Sequence, residues 1–247
     1  MKNEETIIKK KITYQESDFT GQYRLANLFS TLSDLATLNA LQVNIWKEEL
    51  QLQYGWILTK QTMKLNRPIE INEEIKFSTR AGKSSRIQFT RLYDFYDSEN
   101  KSIGGVYSTW TFIDIHKRRI VRPDKVGIVI PEVEEHQHAV DGYQEIESDI
   151  PMLCKAKREV VYSDIDVNQH MNNYRYIEWS MDVIDYKIFE THYISEVSMA
   201  FKKEMAPGTK AKVLYGEKDN YFKVRIVSEN EEIVYFEIGG YFKEMRK

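Results

Sequence analysis

The sequence lacks the features that mark secreted, membrane-spanning and nucleic-acid-binding proteins. Its 247 residues include one cysteine, Cys154, so no internal disulfide can form, which fits a reducing compartment. The first residues, MKNEETIIKKKITY, contain no signal-like apolar run, and no stretch approaches the roughly 20 apolar residues that a membrane span needs. A formal net charge of −3 does not suggest nucleic-acid binding, which favours a basic face. We therefore expect a cytoplasmic protein.

Several common catalytic and metal-binding signatures are also missing. There is no glycine-rich phosphate loop, no Gly-x-Ser-x-Gly elbow and no Cys-x-x-Cys pair. His136 and His138 lie among glutamates but lack the remaining ligand pattern of a metal site, so we expect both to be exposed to solvent. No cofactor or metal is predicted.

Apolar residues in the first half predict a long helix followed by strands. They recur at intervals of three and four from Leu25 to Leu41, as on one face of a helix, and Ser17, Asp18 and Thr20 are suited to cap it. After Gly55 the interval becomes two, which is typical of strands. The 16 tyrosines and 11 phenylalanines also favour a sheet-rich fold.

The second half repeats this plan. A helical interval joins Tyr174, Ile177, Met181 and Ile184, with Asn172 or Asn173 as cap, and strand-like runs follow. The sequence Ser-Glu-Asn marks a turn in each half, at 98–100 and 228–230.

The segments before the two helices also match. Residues 18–22 (DFTGQ) align with residues 166–170 (DVNQH), which indicates an internal repeat. We predict an α+β fold of two tandem hotdog units, each a long helix across a curved antiparallel sheet, with the sheets joined edge to edge so that open edges are covered. The predicted units are residues 1–130 and 151–247, separated by an acidic linker at 131–150.

One segment carries most of the chemistry. Asp166, Asn168 and His170 alternate along it, so in an extended chain all three side chains would point to the same side. They precede a helix N-terminus, where free N–H groups favour a developing negative charge. For any one of these residues alone, a capping or turn role would be the better interpretation. The three together favour a catalytic site that binds an oxyanion.

The run DIDVNQHMNN at 164–173 resembles the signature of the plant-type acyl-[acyl carrier protein] thioesterases and their bacterial relatives. That family has two hotdog units in one chain, with the active site in the C-terminal unit and the acyl pocket mainly in the N-terminal one. The resemblance places Asp166, Asn168 and His170 on functional residues. It also matches Glu204, within Phe201-Lys202-Lys203-Glu204, to the family's downstream catalytic glutamate.

Many plant members have cysteine after that glutamate, whereas this chain has Met205, whose thioether cannot form a thiolate. We expect Cys154 to be a small buried hydrophobic residue. The simplest mechanism is then attack by water, with Glu204 as general base, His170 positioning the water or carrying a proton, Asn168 holding the water or the carbonyl, and Asp166 orienting Asn168 or the loop. Direct attack by Asp166 or Glu204 to give an anhydride is the alternative.

The resemblance also implies a partner, acyl carrier protein bearing an acyl-phosphopantetheine group. Because that protein is acidic, we expect a basic docking patch at Lys117-Arg118-Arg119 or at Lys202-Lys203. A homodimer is left open. Candidates for lining an acyl pocket in the first half, each of which could equally be ordinary core, are Leu28, Leu32, Leu35, Trp56 and Trp110.

Three other functions remain in competition. An acyl-CoA thioesterase would share the fold and differ in the carrier. A hotdog dehydratase also uses a histidine and a carboxylate, but its usual glycine and proline after the histidine are missing after His170. A non-catalytic acyl-binding hotdog protein would bind acyl chains without turnover.

Overall fold

A computed structural model describes residues 4–46, 48–131 and 138–245. The helices are α1 (Leu25–Gln42) and α2 (Asn173–Met181). The strands are β1 (Thr6–Lys11), β2 (Tyr54–Leu65), β3 (Glu74–Ala81), β4 (Phe89–Tyr96), β5 (Ser102–Asp114), β6 (Arg119–Ile120), β7 (Leu153–Glu159), β8 (His192–Phe201), β9 (Lys210–Lys218), β10 (Tyr221–Ser228) and β11 (Val234–Glu244).

The described residues form one 11-stranded sheet in the order β1-β3-β4-β5-β2-β8-β11-β10-β9-β7, with β6 paired to β5. Strands β2 and β8 pair antiparallel at the centre, from Lys60 opposite Ala200 to Lys64 opposite Glu196. The hydroxyls of Thr62 and Ser198 lie 2.8 Å apart across this junction. Two helix-and-sheet units are thus joined edge to edge, which confirms the predicted fold.

Helix α1 lies across the first half of the sheet and confirms the predicted apolar face. Leu28, Leu32 and Leu35 are at most 2% exposed, and burial of such a side chain contributes about 1.5–3 kcal/mol. The predicted cap is wrong. The N-cap is Arg24, which makes no side-chain cap bond, because Asp18 and Thr20 bond to each other in a turn further upstream.

Helix α2 is shorter than the apolar spacing suggested. It ends at Met181, so Ile184 lies beyond it, although Ile184 is still buried in the same core. The Asn172 cap is confirmed, since its side chain accepts a hydrogen bond from the Tyr174 amide at 3.4 Å. Tyr176 and Ile177 pack from α2 onto the second half of the sheet.

The segment before β7 crosses the sheet from one half to the other. Residues 132–137 of the predicted linker, including His136, lie outside the described residues. Beyond them, the Gln144 amide donates to Thr62 of β2 and the Glu147 amide donates to Tyr221 of β10. The crossing segment passes close over β9 at Gly216. Any side chain there would clash, because a Cβ would lie 2.2 Å from the Pro151 carbonyl oxygen.

His138 corrects a prediction. Its side chain is 6% exposed, and its Nε2 lies 3.0 Å from the Tyr93 carbonyl oxygen and 3.4 Å from Asp94. His138 therefore packs between the crossing segment and the sheet and is not exposed to solvent. Within the described ranges, neither helix has the length and apolar character needed to cross a bilayer.

Candidate active site

The segment from Asp166 to His170 is a closed turn, so the predicted extended conformation is wrong. The Asp166 amide donates to the His170 carbonyl at 2.9 Å, and the Gln169 amide donates to the Asp166 carbonyl at 3.0 Å. Gln169 has a φ of 64°, in the left-handed region that such a tight reversal uses. The alternation of polar residues therefore does not place three side chains on one side of a strand.

Asp166 holds this turn through its own carboxylate. Its Oδ1 accepts from the Asn168 amide at 2.8 Å and from the His170 amide at 3.5 Å, and its Oδ2 accepts from the Asn168 side chain at 3.3 Å. A short acidic side chain bonded to the amides that follow it is a common turn-forming arrangement. Asp166 thus orients Asn168 and the loop.

The equivalent turn in the first half is built in the same way. Asp18 Oδ1 accepts from the Thr20 amide at 2.8 Å and from the Gln22 amide at 3.1 Å, and Gly21 takes the left-handed position with a φ of 87°. This match confirms the alignment of 18–22 with 166–170. The two turns share this pattern of hydrogen bonds. The functional difference between them therefore lies in Asn168 and His170, which replace Thr20 and Gln22.

Glu204 lies in the loop after β8 and is positioned by the residue that follows it. The Met205 amide donates to the Tyr176 hydroxyl at 2.9 Å, and the Met205 carbonyl accepts from the Met171 amide at 2.9 Å. Burial raises the pKa of Tyr176 well above its usual value, which keeps the phenol neutral. Helix α2 and the turn ending at His170 therefore fix the Glu204 loop together.

These contacts bring the predicted histidine and glutamate together. His170 Nε2 lies 3.7 Å from Glu204 Oε2, and each side chain is 36% exposed. Asn168 is exposed on the same turn. A carboxylate and an imidazole at this separation, open to solvent on one side, can share a water molecule between them.

The sequence did not predict a third charged group at this site. Arg118 Nη2, from the turn between β5 and β6, lies 3.0 Å from Glu204 Oε2. The same carboxylate oxygen therefore faces both Arg118 and His170. Arg118 was expected as a docking residue, and no sequence signal could have indicated that it pairs with a carboxylate 86 positions away.

The other basic residues predicted for docking lie around the same place. Lys117, Arg119 and Lys203 are exposed, and Lys117 is 3.7 Å from Asp114. Lys202 is already paired with the buried Glu237. Two basic runs that are distant in sequence thus converge on Glu204.

A small cavity lies between α1 and α2, next to these residues. Its volume is about 70 Å³, and its wall includes Asn172, two residues after His170, and Phe201, three residues before Glu204. Of the predicted pocket residues only Trp110 lines it; Leu28, Leu32 and Leu35 are packed core and Trp56 packs against Phe89 and Phe112. A larger groove of about 520 Å³, between residues 82–89 and 122–131, includes none of the predicted site residues.

The two sulfur residues weighed for catalysis stay outside this arrangement. Met205 is fully buried. Cys154 is exposed on β7, the edge strand of the second unit, so the expectation that it is buried is wrong. An edge strand has a neighbour on one side only, which leaves this thiol uncovered.

Family models match both halves of the chain. Residues 5–126 match the acyl-ACP thioesterase N-terminal domain and residues 152–238 match the acyl-ACP thioesterase C-terminal domain. The chain is 25% identical over 161 residues to a palmitoyl-acyl carrier protein thioesterase of Cuphea hookeriana, an alignment that covers 60% of this chain and 38% of that protein. It is 23% identical over 170 residues to oleoyl-acyl carrier protein thioesterase 2 of Arabidopsis thaliana, covering 62% and 45%. The chain thus spans less than half the length of these relatives.

Solved structures share the fold over nearly the whole chain. An acyl-ACP thioesterase from Bacteroides thetaiotaomicron superposes with a TM-score of 0.80 at 22% identity, covering 97% of this chain and 98% of that one. The 12:0-ACP thioesterase from Umbellularia californica superposes with a TM-score of 0.81 at 16% identity, covering 97% of each chain. At these identities the likeness shows the tandem fold alone.

Proposed function

Since the two matches at 5–126 and 152–238 span most of its length, the chain belongs to the acyl-ACP thioesterase family, and we propose that it hydrolyses fatty acyl-[acyl carrier protein] thioesters to a free fatty acid and the carrier thiol. The observation that carries this proposal is the 3.7 Å approach of His170 Nε2 to Glu204 Oε2 beside a cavity between the two helices.

In the proposed mechanism Glu204 is the general base. A water molecule attacks the thioester carbonyl carbon and gives its proton to the Glu204 carboxylate. The carbon–sulfur bond then breaks, and the proton taken by Glu204 passes through His170, 3.7 Å away, to the leaving thiolate, so that both side chains return to their starting state. General-base assistance of this kind is typically worth about 10²–10⁴ in rate.

Asn168 and Asp166 have supporting roles in this proposal. The exposed Asn168 amide binds the water or the substrate carbonyl oxygen, and Asp166 holds Asn168 and the turn through the hydrogen bonds described above. Arg118 keeps the Glu204 carboxylate directed toward His170 and leaves Oε1 available for water.

The anhydride alternative involves the same carboxylates. If Glu204 or Asp166 attacked the carbonyl directly, hydrolysis of the anhydride would place solvent oxygen in the enzyme carboxylate. A single turnover in isotopically labelled water, followed by peptide mass spectrometry, separates the two routes. We expect the label in the fatty acid only, and label in Glu204 or Asp166 would replace the general-base mechanism.

We also propose that the carrier docks over the site. The exposed Lys117 and Arg119 flank Arg118, which contacts Glu204, and the exposed Lys203 precedes Glu204 in the chain, so these residues offer an acidic partner a positive surface. A cytoplasmic location remains part of the proposal.

A panel of acyl chains tests the function. Each chain length is presented on acyl carrier protein and on CoA, and the free acids are quantified. We expect release of fatty acid with kcat/KM higher on the carrier protein. Higher values on CoA would make the chain an acyl-CoA thioesterase, and tight acyl binding without any release would make it a non-catalytic acyl-binding protein.

A further inference from the structure

The sheet beneath the cavity between α1 and α2 carries a row of buried polar residues. On the first half of the sheet, Gln61 of β2, Ser108 of β5 and Arg91 of β4 lie side by side in register. All three are at most 7% exposed. The equivalent part of the second unit's core, below α2, is apolar and consists of Phe222, Val224, Ile226, Phe236 and Ile238. The two units therefore share a fold but differ in the polarity of the sheet face below the helix.

One member of this polar row, Gln61, and a neighbouring residue of β4, Tyr93, face the cavity without a partner. Gln61 is 4% exposed and lines the cavity, and its side-chain amide bonds to none of the described residues. Tyr93 also lines the cavity; it is fully buried, and its hydroxyl makes no hydrogen bond of normal geometry within the described part of the chain, although the Ser108 hydroxyl lies close to it. Buried polar side chains normally have a partner, so two exceptions on one cavity indicate a missing one.

The neighbouring polar groups are already committed to other contacts. The Ser108 hydroxyl, next to Tyr93, donates to the Arg91 carbonyl at 3.0 Å and accepts from the Trp110 indole at 2.9 Å, which leaves it one acceptor site and no donor. The Arg91 guanidinium donates to Asn39 of α1 at 2.5 Å and does not line the cavity. Among the strand residues that line the cavity, Gln61 and Tyr93 thus have the polar groups available to a molecule that enters it.

The chemistry of the missing partner follows from these two groups. A saturated hydrocarbon chain can satisfy neither. An amide offers both donors and an acceptor, and a phenol both donates and accepts. Burial raises the pKa of Tyr93 to about 12, so the phenol keeps its proton at neutral pH. A hydroxyl group, which also donates and accepts, complements both.

We propose that the preferred substrates of this chain are acyl thioesters whose acyl chain carries a hydroxyl group, recognised by Gln61 and Tyr93 in the cavity between α1 and α2. This inference rests on the proposed hydrolysis of acyl thioesters and narrows its substrate class. Gln61 and Tyr93 act here as specificity-determining residues.

The test compares acyl-carrier substrates of one chain length, unsubstituted or with a single hydroxyl at successive carbons. We expect kcat/KM for the best hydroxylated isomer to exceed that of the unsubstituted chain by about tenfold, as one or two net hydrogen bonds would give. Tyr93→Phe and Gln61→Met keep the side-chain size and should each bring this ratio close to one. Tyr107→Phe, on the opposite face of β5, is the matched control and should keep the ratio.

A ratio within about twofold of one for every isomer on the unmodified protein would overturn the proposal and would mean that water alone fills the cavity. An unchanged ratio in both variants would also overturn it, because the hydroxyl would then be recognised by other residues. Calorimetric binding of the free acids, hydroxylated against unsubstituted, needs no turnover. Failure of hydrolysis with a retained binding preference would count against the proposed function only, and hydrolysis without any preference would count against the hydroxyl site only.

Discussion

The guanidinium of Arg118 lies 3.0 Å from the carboxylate of Glu204, although the two residues come from different hotdog units. The motif that resembles the thioesterase signature lies wholly in the second unit. Through this ion pair the first unit also contributes to the candidate site, from the turn between β5 and β6. The relative placement of the two units therefore affects the proposed chemistry directly.

Loss of this ion pair should slow the reaction moderately. A partly exposed pair of this kind is worth about 1 kcal/mol, which corresponds to roughly fivefold in rate. We expect Arg118→Gln to lower kcat by about that factor in steady-state assays on an acyl-carrier substrate. Arg119→Gln, at an exposed neighbour with no ion pair among the described residues, should change kcat by less than about twofold. Equal effects of the two substitutions would remove Arg118 from its positioning role.

Tyr176 should matter for activity without touching the substrate. Tyr176→Phe leaves the buried Met205 amide without its 2.9 Å partner, and an unpaired buried amide costs about 1–3 kcal/mol. We expect a lower unfolding free energy by urea titration and a lower kcat, because the Glu204 loop loses one of its two anchors. Unchanged kcat with reduced stability would show that the remaining anchor, from Met171 to Met205, is sufficient.

Docking of an acidic carrier should depend on salt. Raising the ionic strength from about 0.05 to 0.5 M screens charges at the protein surface, so kcat/KM on acyl-carrier substrate should fall several-fold. The double variant Arg119→Glu, Lys203→Glu should lower kcat/KM at low salt and flatten this dependence. The acyl-pantetheine thioester, which lacks the carrier, serves as the control. The same salt dependence on both substrates would argue against the basic surface.

The ion pairs of Glu237 predict a pH dependence of stability. Burial alone would raise the pKa of Glu237, but its bonds with Lys202 and Arg225, the latter at 2.7 Å, lower it below the usual value. A depressed carboxyl pKa contributes stability above the unfolded-state value of about 4.3, and that stability is lost as the pH falls through the folded-state value.

Glu237→Gln should therefore reduce the unfolding free energy by about 2 kcal/mol at neutral pH. The difference from the unmodified protein should shrink below about pH 4. Denaturant titrations at both pH values measure this. Glu99→Gln, at an exposed position in the turn between β4 and β5, is the control and should have little effect at either pH. A difference that stays constant with pH would contradict the stabilising role of the ionised carboxylate.

Much of the fold could be predicted because it follows from local pattern. The spacing of apolar residues predicted α1 and its buried face. The Asn172 cap could be predicted because asparagine is a common capping residue and directly precedes a helical run. The repeat was visible because Asp18 and Asp166 perform the same backbone bonding in both units. That bonding also explains the error at 166–170, since a short acidic side chain can close a turn where alternation alone indicates a strand.

The parts that could not be predicted depend on distant residues. Arg118 meets Glu204 only because the two units pack with one relative placement. The polar cavity wall required the register of β4, β5 and β2, which places Gln61 beside Ser108. Without that register, the leucines of α1 were the natural candidates for a pocket, whereas the structure packs them into the core. His138 was judged by its acidic surroundings in sequence and is buried by contacts with β4.

The most direct test of the proposed active site is kcat of Glu204→Gln on a purified acyl-carrier substrate, measured beside the unmodified protein and Glu99→Gln. The substitution keeps the shape of the side chain and removes the base. We predict a loss of about 10²–10⁴ in kcat, the usual worth of general-base help, with unfolding by urea showing that the variant is folded. A folded variant whose kcat stays within about twofold of the unmodified protein, as expected for Glu99→Gln, would contradict the assignment of the active site to Glu204 and His170.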